Sequence, residues 1–278
     1  MKAGTTSLHL YINQHPNCIK SRFKELRAFD ETHRFGLCLT GGYTLFDKYA
    51  RYGYSRKPSS LKTSGQFAGE TSPRYAIMGN QALLRIKAAV PKATLIMIFR
   101  DPIERIWSHF KMDLVHELLV PQNFSYYVQR QISYLNACGI TSESTTSEFE
   151  SCFLTIPREN FDWVSRSLYA FHLENVLKVF PRKQIVLFKF EDFFKDPLGG
   201  LNGLFDKLKV GRLENLETKR YNDFWKDNPE PVLTEEGIKD LKMLREFYKP
   251  YNRRFQKLIS PIDISSYECE NGARLGCE

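Results

Sequence analysis

Apolar residues recur along this chain in two rhythms, and their alternation sets the first expectation of fold. The run Thr94 to Phe99, Thr-Leu-Ile-Met-Ile-Phe, is apolar almost without a break, the pattern of a strand covered on both faces in a parallel sheet. A second such run, Ile185 to Phe190, follows an amphipathic stretch from Trp163 to Phe180 and ends at Glu191-Asp192. Leu8, Tyr11 and Ile12 fall at helical spacing, so Thr6 to Gln14 reads as a short helix closed by His15-Pro16. Gln66 to Glu70 reads as a short strand, then comes a polar turn at Thr71-Ser72-Pro73 and a helix from Met78 to Val90. Periodicity is weak from Cys18 to Ser64, apart from a short helix expected over Tyr43 to Tyr49. Lys239 to Leu258 closes the chain as a helix that Pro250 is expected to break. Helices alternating with buried strands predict the α/β class, as a three-layer phosphate-loop-like fold around a central parallel sheet, in a single domain over 1–278.

Composition narrows the partners. The formal net charge is +8 and the pI about 9.1, which favours an anion: a phosphorylated cofactor, an acidic polysaccharide, nucleic acid or a membrane surface. Nucleic acid drops out, because the aromatics are not interleaved with basic residues in a recognisable module. The six cysteines make no C-x-x-C pair and no His/Cys cluster at zinc spacing, so no metal site is expected. Cys138 and Cys152 bracket a polar loop and Cys269 and Cys277 flank a tail, so disulfides suit the spacing, with free thiols in a cytosolic enzyme as the alternative. Asn123-Phe124-Ser125 is a glycosylation sequon. No stretch approaches the ~20 apolar residues that span a bilayer. Met1-Lys2-Ala3-Gly4 opens the chain with no strand before it, so the first strand, and a membrane anchor with it, is expected to have been lost by truncation.

Two segments carry phosphate-binding chemistry. In Lys2-Ala3-Gly4-Thr5-Thr6-Ser7 the glycine permits close backbone approach, a helix N-terminus follows, and Lys2 adds a full charge. The same hexamer also suits ordinary helix capping. In Arg100-Asp101-Pro102-Ile103-Glu104-Arg105-Ile106-Trp107-Ser108, Asp101 suits the N-cap, Pro102 the first helical position and Glu104 a capping box. A helix therefore starts at the carboxyl end of the best strand, where Arg100 with Ser108 can hold a phosphate. A structural ion pair for Arg100 is the competing reading. Trp107, Tyr169 and the aromatics of 247–251 read as core rather than as adenine-stacking groups.

Together these segments resemble the 5′-phosphosulfate and 3′-phosphate motifs of sulfotransferases. The resemblance extends to Lys24-Glu25-Leu26-Arg27-Ala28-Phe29-Asp30, Gly69-Glu70-Thr71-Ser72-Pro73, Ser167-Leu168-Tyr169 and Phe247-Tyr248-Lys249-Pro250-Tyr251-Asn252. The set is similar to the Golgi carbohydrate sulfotransferases that modify glycosaminoglycans, among them the heparan sulfate enzymes and the N-acetylgalactosamine 4-sulfate 6-O-sulfotransferase. That resemblance implies 3′-phosphoadenosine 5′-phosphosulfate as co-substrate without a metal, an acidic glycan as acceptor, and a type II membrane protein of the Golgi lumen. It implies a catalytic glutamate at Glu25, in a segment that departs from the family at Leu26, Arg27 and Ala28, with Glu70 as the other candidate base. Lys2 is expected to stabilise the leaving phosphate. Lys2, Ala3, Gly4, Thr5, Thr6, Ser7, Arg100 and Ser108 are expected to bind the nucleotide, and Lys219 and Arg220 to belong to a basic loop that closes over it.

Two other classes stay in view. A phosphate-loop kinase for a small molecule would need a Gly-Lys-Ser/Thr loop, which this chain lacks, and magnesium carboxylates. A non-catalytic glycan-binding module would keep the fold and the charge and lose the transfer.

Overall fold

The computed structural model of the protein describes residues 2–21, 24–27, 29, 65–116, 124–155, 162–219 and 231–259. The chain forms helix α1 (Thr5–Ile12), strands β1 (Cys18–Ile19) and β2 (Phe67–Ala68), a 3₁₀ turn (Pro73–Ala76), helix α2 (Gly79–Ala89) and strand β3 (Leu95–Phe99). Helices α3 (Pro102–Val115), α4 (Phe124–Ala137) and α5 (Thr146–Thr155) follow, and after a 3₁₀ turn at Ser165–Ser167 comes α6 (Tyr169–Val179). Strand β4 (Ile185–Lys189) leads into the one-turn α7 (Phe190–Phe193), then α8 (Pro197–Leu208) and the long α9 (Glu235–Ile259). The helix expected at Tyr43 to Tyr49, Asn123 of the sequon, Arg220, Cys269 and Cys277 lie outside the described residues.

Contacts divide the chain into two compact units. The first comprises Ala3–Phe99 and Val176–Asn222, the second Arg100–Asn175 and Asp223–Glu278 together with Lys2.

The first unit carries the parallel strands of this α/β protein. Among the described residues the pairing comes as two parallel ladders: Cys18↔Phe67 and Ile19↔Ala68 in one, Leu95↔Ile185 through Phe99↔Lys189 in the other. The apolar runs read from the sequence are explained by alternation across the second ladder. Leu95, Met97 and Leu187 pack on the cluster of Leu83, Ile86, Val176 and Phe180, while Ile96, Ile98, Val186 and Phe188 pack on that of Leu201, Leu204 and Phe205. Fully burying a large side chain such as Leu201 or Phe205, each 0% exposed, contributes about 1.5–3 kcal/mol, and the half-buried strand residues contribute less.

The second unit is helical, around Trp163, Leu168 and Phe171, each fully buried. Trp107, Tyr248 and Tyr251 belong to this core, as the sequence implied. The local start signal of α3 works as read: Asp101 Oδ1 accepts from the backbone N–H groups of Ile103 and Glu104, both at 2.9 Å, and Pro102 occupies the first turn. The expected break at Pro250 is not there, and α9 runs through it. Packing outweighs the missing N–H, because Tyr248 and Tyr251 on either side are buried and donate to the carbonyls of Val164 at 2.7 Å and Ile140 at 3.1 Å. Cys138 and Cys152 are joined in a disulfide between the end of α4 and α5, with Cα atoms 5.9 Å apart.

Candidate active site

In the first unit, α1 is the element on which the predicted residues converge. Gly4 caps it with φ 78°, a left-handed conformation natural to glycine. A Cβ there would also lie 2.5 Å from Phe194 Cε2, so the glycine is required by the Phe190 and Phe194 rings as well as by the turn. Thr5, Thr6 and Ser7 form the first turn, whose N–H groups have no intrahelical carbonyl ahead of them and point positive potential outward.

One turn on, His9 is buried and connects α1 to the turn after β2. Asn13 Nδ2 donates to His9 Nε2 at 3.0 Å, which leaves Nδ1–H to donate to Thr71 Oγ1, also at 3.0 Å. Burial, then the nearby Lys24 ammonium, lowers the imidazole pKa, in keeping with this neutral form. The carbonyl of Thr71 in turn accepts from Glu25 N–H at 3.0 Å. Thr71 thereby ties Glu25 and its neighbour Glu70 to the same helix, a role with no local signature in the sequence.

The two candidate bases differ in company. Glu25 has φ 61°, and its carboxylate lies between Lys24 Nζ, 2.5 Å from Oε1, and Arg27 Nη2, 3.5 Å from Oε2. Burial acts to raise its pKa, but Lys24 and then Arg27 outweigh that and hold it below the usual carboxylate range. Glu70 accepts a short hydrogen bond from the Tyr75 hydroxyl, and burial followed by that carboxylate raises the phenol strongly. Tyr75 also accepts from Phe29 N–H at 3.3 Å. Lys219 is exposed, with its carbonyl held by the Tyr11 hydroxyl of α1 at 3.1 Å.

The second unit brings Lys2 and Arg100 together. Arg100 Nη1 donates to the Lys2 carbonyl at 3.4 Å and Nη2 to Glu104 Oε2 at 3.2 Å, while the Tyr169 hydroxyl donates to the Arg100 carbonyl at 2.9 Å. Lys2 has φ 60°. Its amine is lowered to about 8 by burial first, then by the positive charges of Arg100 and Lys111, with Asp113 acting the other way. Ser108 is half-buried on α3, one helical turn beyond Glu104. Arg105, from the same motif, points elsewhere: it is 2% exposed, donating to Ser167 Oγ at 2.6 Å, to the Trp163 carbonyl and to His109 Nδ1 at 3.3 Å. Asp113, also buried, accepts from Trp163 Nε1 at 2.8 Å.

A left-handed glycine opening a helix beside parallel strands is the construction of phosphate-loop-like α/β proteins. More narrowly, the chain belongs to the sulfotransferase family, for residues 1–249 match the family model of the sulfotransferase domain. Among curated proteins it is similar to heparan sulfate glucosamine 3-O-sulfotransferase 3B1 of Mus musculus, 24% identical over 277 residues that cover 92% of this chain and 60% of the relative. It is also similar to the membrane-associated sulfotransferase kil1 of Dictyostelium discoideum, 23% identical over 316 residues that cover 92% of this chain and 64% of the relative. The chain thus spans less than two thirds of the length of either. In fold it is similar to a sulfotransferase from Alicyclobacillus acidocaldarius, with a TM-score of 0.64 and 22% identity, covering 93% of this chain and 92% of that one.

Proposed function

We propose that the protein is a carbohydrate sulfotransferase that uses 3′-phosphoadenosine 5′-phosphosulfate, with a hydroxyl or amine of an acidic, glycosaminoglycan-like glycan as acceptor. The observation that carries the reading is the positive charge gathered around Lys2: Arg100 Nη1 donates to its carbonyl at 3.4 Å, and burial first, then Arg100 and Lys111, depresses an amine that an anion would stabilise as the ammonium. A bisphosphorylated nucleotide fits such residues. Lys2 with the backbone of Ala3, Gly4, Thr5, Thr6 and Ser7 takes the 5′-phosphosulfate, and Arg100 with Ser108 takes the 3′-phosphate. The co-substrate supplies an activated sulfuryl group whose sulfur–oxygen bond to the 5′-phosphate breaks as the acceptor's hydroxyl oxygen or amine nitrogen bonds to sulfur in line.

Glu25 accepts the acceptor's proton, since its neighbours keep it ionised at neutral pH. Lys2 offsets the charge that develops on the departing phosphate, which leaves as adenosine 3′,5′-bisphosphate. Glu70 orients the turn that carries Thr71, with its carboxylate occupied by Tyr75. The closed Cys138–Cys152 bridge supports an oxidising compartment, and we assign the protein to the Golgi lumen. Transfer of radiolabelled sulfate from the co-substrate onto a desulfated polysaccharide tests the reading. The expected result is label in polymer that Glu25→Gln abolishes, and absence of label with every acidic polysaccharide offered counts against it.

A further inference from the structure

Glu25 sits in an arrangement that has more positive charge than the carboxylate needs. Lys24 Nζ contacts one oxygen at 2.5 Å and Arg27 Nη2 the other at 3.5 Å, so two cations face one anion and a positive charge remains. None of the three is deeply buried: their side chains are 24%, 35% and 23% exposed for Lys24, Arg27 and Glu25. The backbone beneath is nevertheless fixed. Glu25 N–H donates to the Thr71 carbonyl at 3.0 Å and Arg27 N–H to Ser72 Oγ at 3.2 Å, stitching the segment to the turn at two points. Both Glu25 and Arg27 are left-handed, with φ 61° and 54°, a backbone form that side-chain-bearing residues keep only where their surroundings hold it. A held backbone thus presents three partly exposed charged ends at the surface. The guanidinium offers five donors in a planar fork, and Glu25 engages it through one long contact, which leaves the geometry open to a bidentate partner.

We propose that Arg27, with Lys24, forms a two-cation seat that reads an anionic substituent, carboxylate or sulfate ester, on the acceptor sugar, and that Glu25 occupies this seat while no acceptor is bound. The proposal deepens the sulfotransferase reading and rests on it for the identity of the acceptor. In the acceptor-free protein Glu25 is an internal stand-in for the substrate's own anion. When the acceptor's anion takes Arg27 and Lys24, Glu25 loses the cations that keep its pKa low and becomes a stronger base at the moment a hydroxyl arrives. A neutral sugar leaves the clamp closed, so acceptor choice and proton abstraction are coupled through Arg27, a specificity-determining residue.

Calorimetric binding in the presence of adenosine 3′,5′-bisphosphate tests this without turnover. Three ligands of one length are compared: a sulfated, uronate-containing oligosaccharide, its carboxyl-reduced form and its desulfated form. Arg27→Gln is expected to weaken the parent ligand about tenfold, the size of a lost hydrogen bond between charged groups, with Arg27→Lys in between. The form on which Arg27→Gln has no effect names the group read: the carboxyl-reduced form for a carboxylate, the desulfated form for a sulfate ester. Glu25→Gln, by emptying the seat, is expected to tighten the parent ligand several-fold, whereas a Glu25 that only supports structure would weaken it or leave it unchanged. Equal affinities in wild type and Arg27→Gln, equal weakening of all three ligands, or weaker binding by Glu25→Gln overturns the proposal. A protein that transfers sulfate yet binds indifferently to Arg27 sinks this inference alone. A protein inactive in transfer that still binds through Arg27 sinks the transferase reading alone.

Discussion

Arg100 donates through Nη1 to the carbonyl oxygen of Lys2 at 3.4 Å, joining the residue after the apolar strand to the residue that opens the glycine loop. The contact fixes the arginine through the lysine's backbone, and burial, then the charges of Arg100 and Lys111, lowers the lysine amine to about 8.

Nucleotide affinity is therefore expected to depend on pH through Lys2. An anion binds the ammonium form and raises its pKa, so once the nucleotide's phosphates are ionised, above their second pKa of about 6, affinity is level up to about 8 and falls as pH rises through that value. Calorimetry with adenosine 3′,5′-bisphosphate on either side of that pH measures the fall. Lys2→Ala should bind more weakly at neutral pH and lose most of the slope, and an unchanged slope in the variant would assign it to another group.

Glu25→Gln is expected to lower kcat by about 10²- to 10⁴-fold, the usual contribution of a general base, with nucleotide affinity retained. Glu70→Gln should cost less, since the Tyr75 hydroxyl can still hydrogen-bond the amide oxygen. Steady-state kinetics of both variants settles their order, and a larger kcat loss in Glu70→Gln would transfer the base to Glu70.

The acid limb of the rate profile follows the carboxylate. Lys24 and Arg27 depress the Glu25 pKa against the effect of burial, so the ionised base, and with it the rate, should persist below the usual carboxylate range. Arg27→Gln removes one of these cations and should move the limb to higher pH, read from kcat/KM against pH.

Arg105→Met is expected to destabilise the protein by about 2–4 kcal/mol, because the Ser167 hydroxyl and the Trp163 carbonyl lose a buried donor. Urea unfolding measures it. A neutral result would mean that water or a neighbour replaces the guanidinium.

Removing the Cys138–Cys152 bridge, whose cysteines are 14 apart in sequence, should cost about 3 kcal/mol, as expected for a loop of this length. Thermal melting of Cys138→Ser/Cys152→Ala beside the parent protein provides the comparison.

What could be read from the sequence was set by short-range physics. Strands β3 and β4 were legible because both faces of each are covered, which writes an unbroken apolar run into the chain. The start of α3 was legible because Asp101 finds its partners two and three residues away. Thr71 was not, since its bond to His9 spans 62 residues, nor was the burial of Arg105, whose partner Ser167 is also 62 residues distant. In a motif read for phosphate binding, nothing local separates an arginine facing a ligand from one that hydrogen-bonds inside the core. Pro250 misled for the converse reason: the local rule against proline in a helix yields to the buried tyrosines beside it.

Titration of adenosine 3′,5′-bisphosphate into the wild-type protein, Lys2→Ala and Arg100→Ala tests the account most directly. The expected result is one nucleotide per chain, bound about tenfold or more weakly by each variant, as for the loss of one charge-assisted hydrogen bond. Equal affinity in all three proteins, or no binding by the wild type, contradicts it.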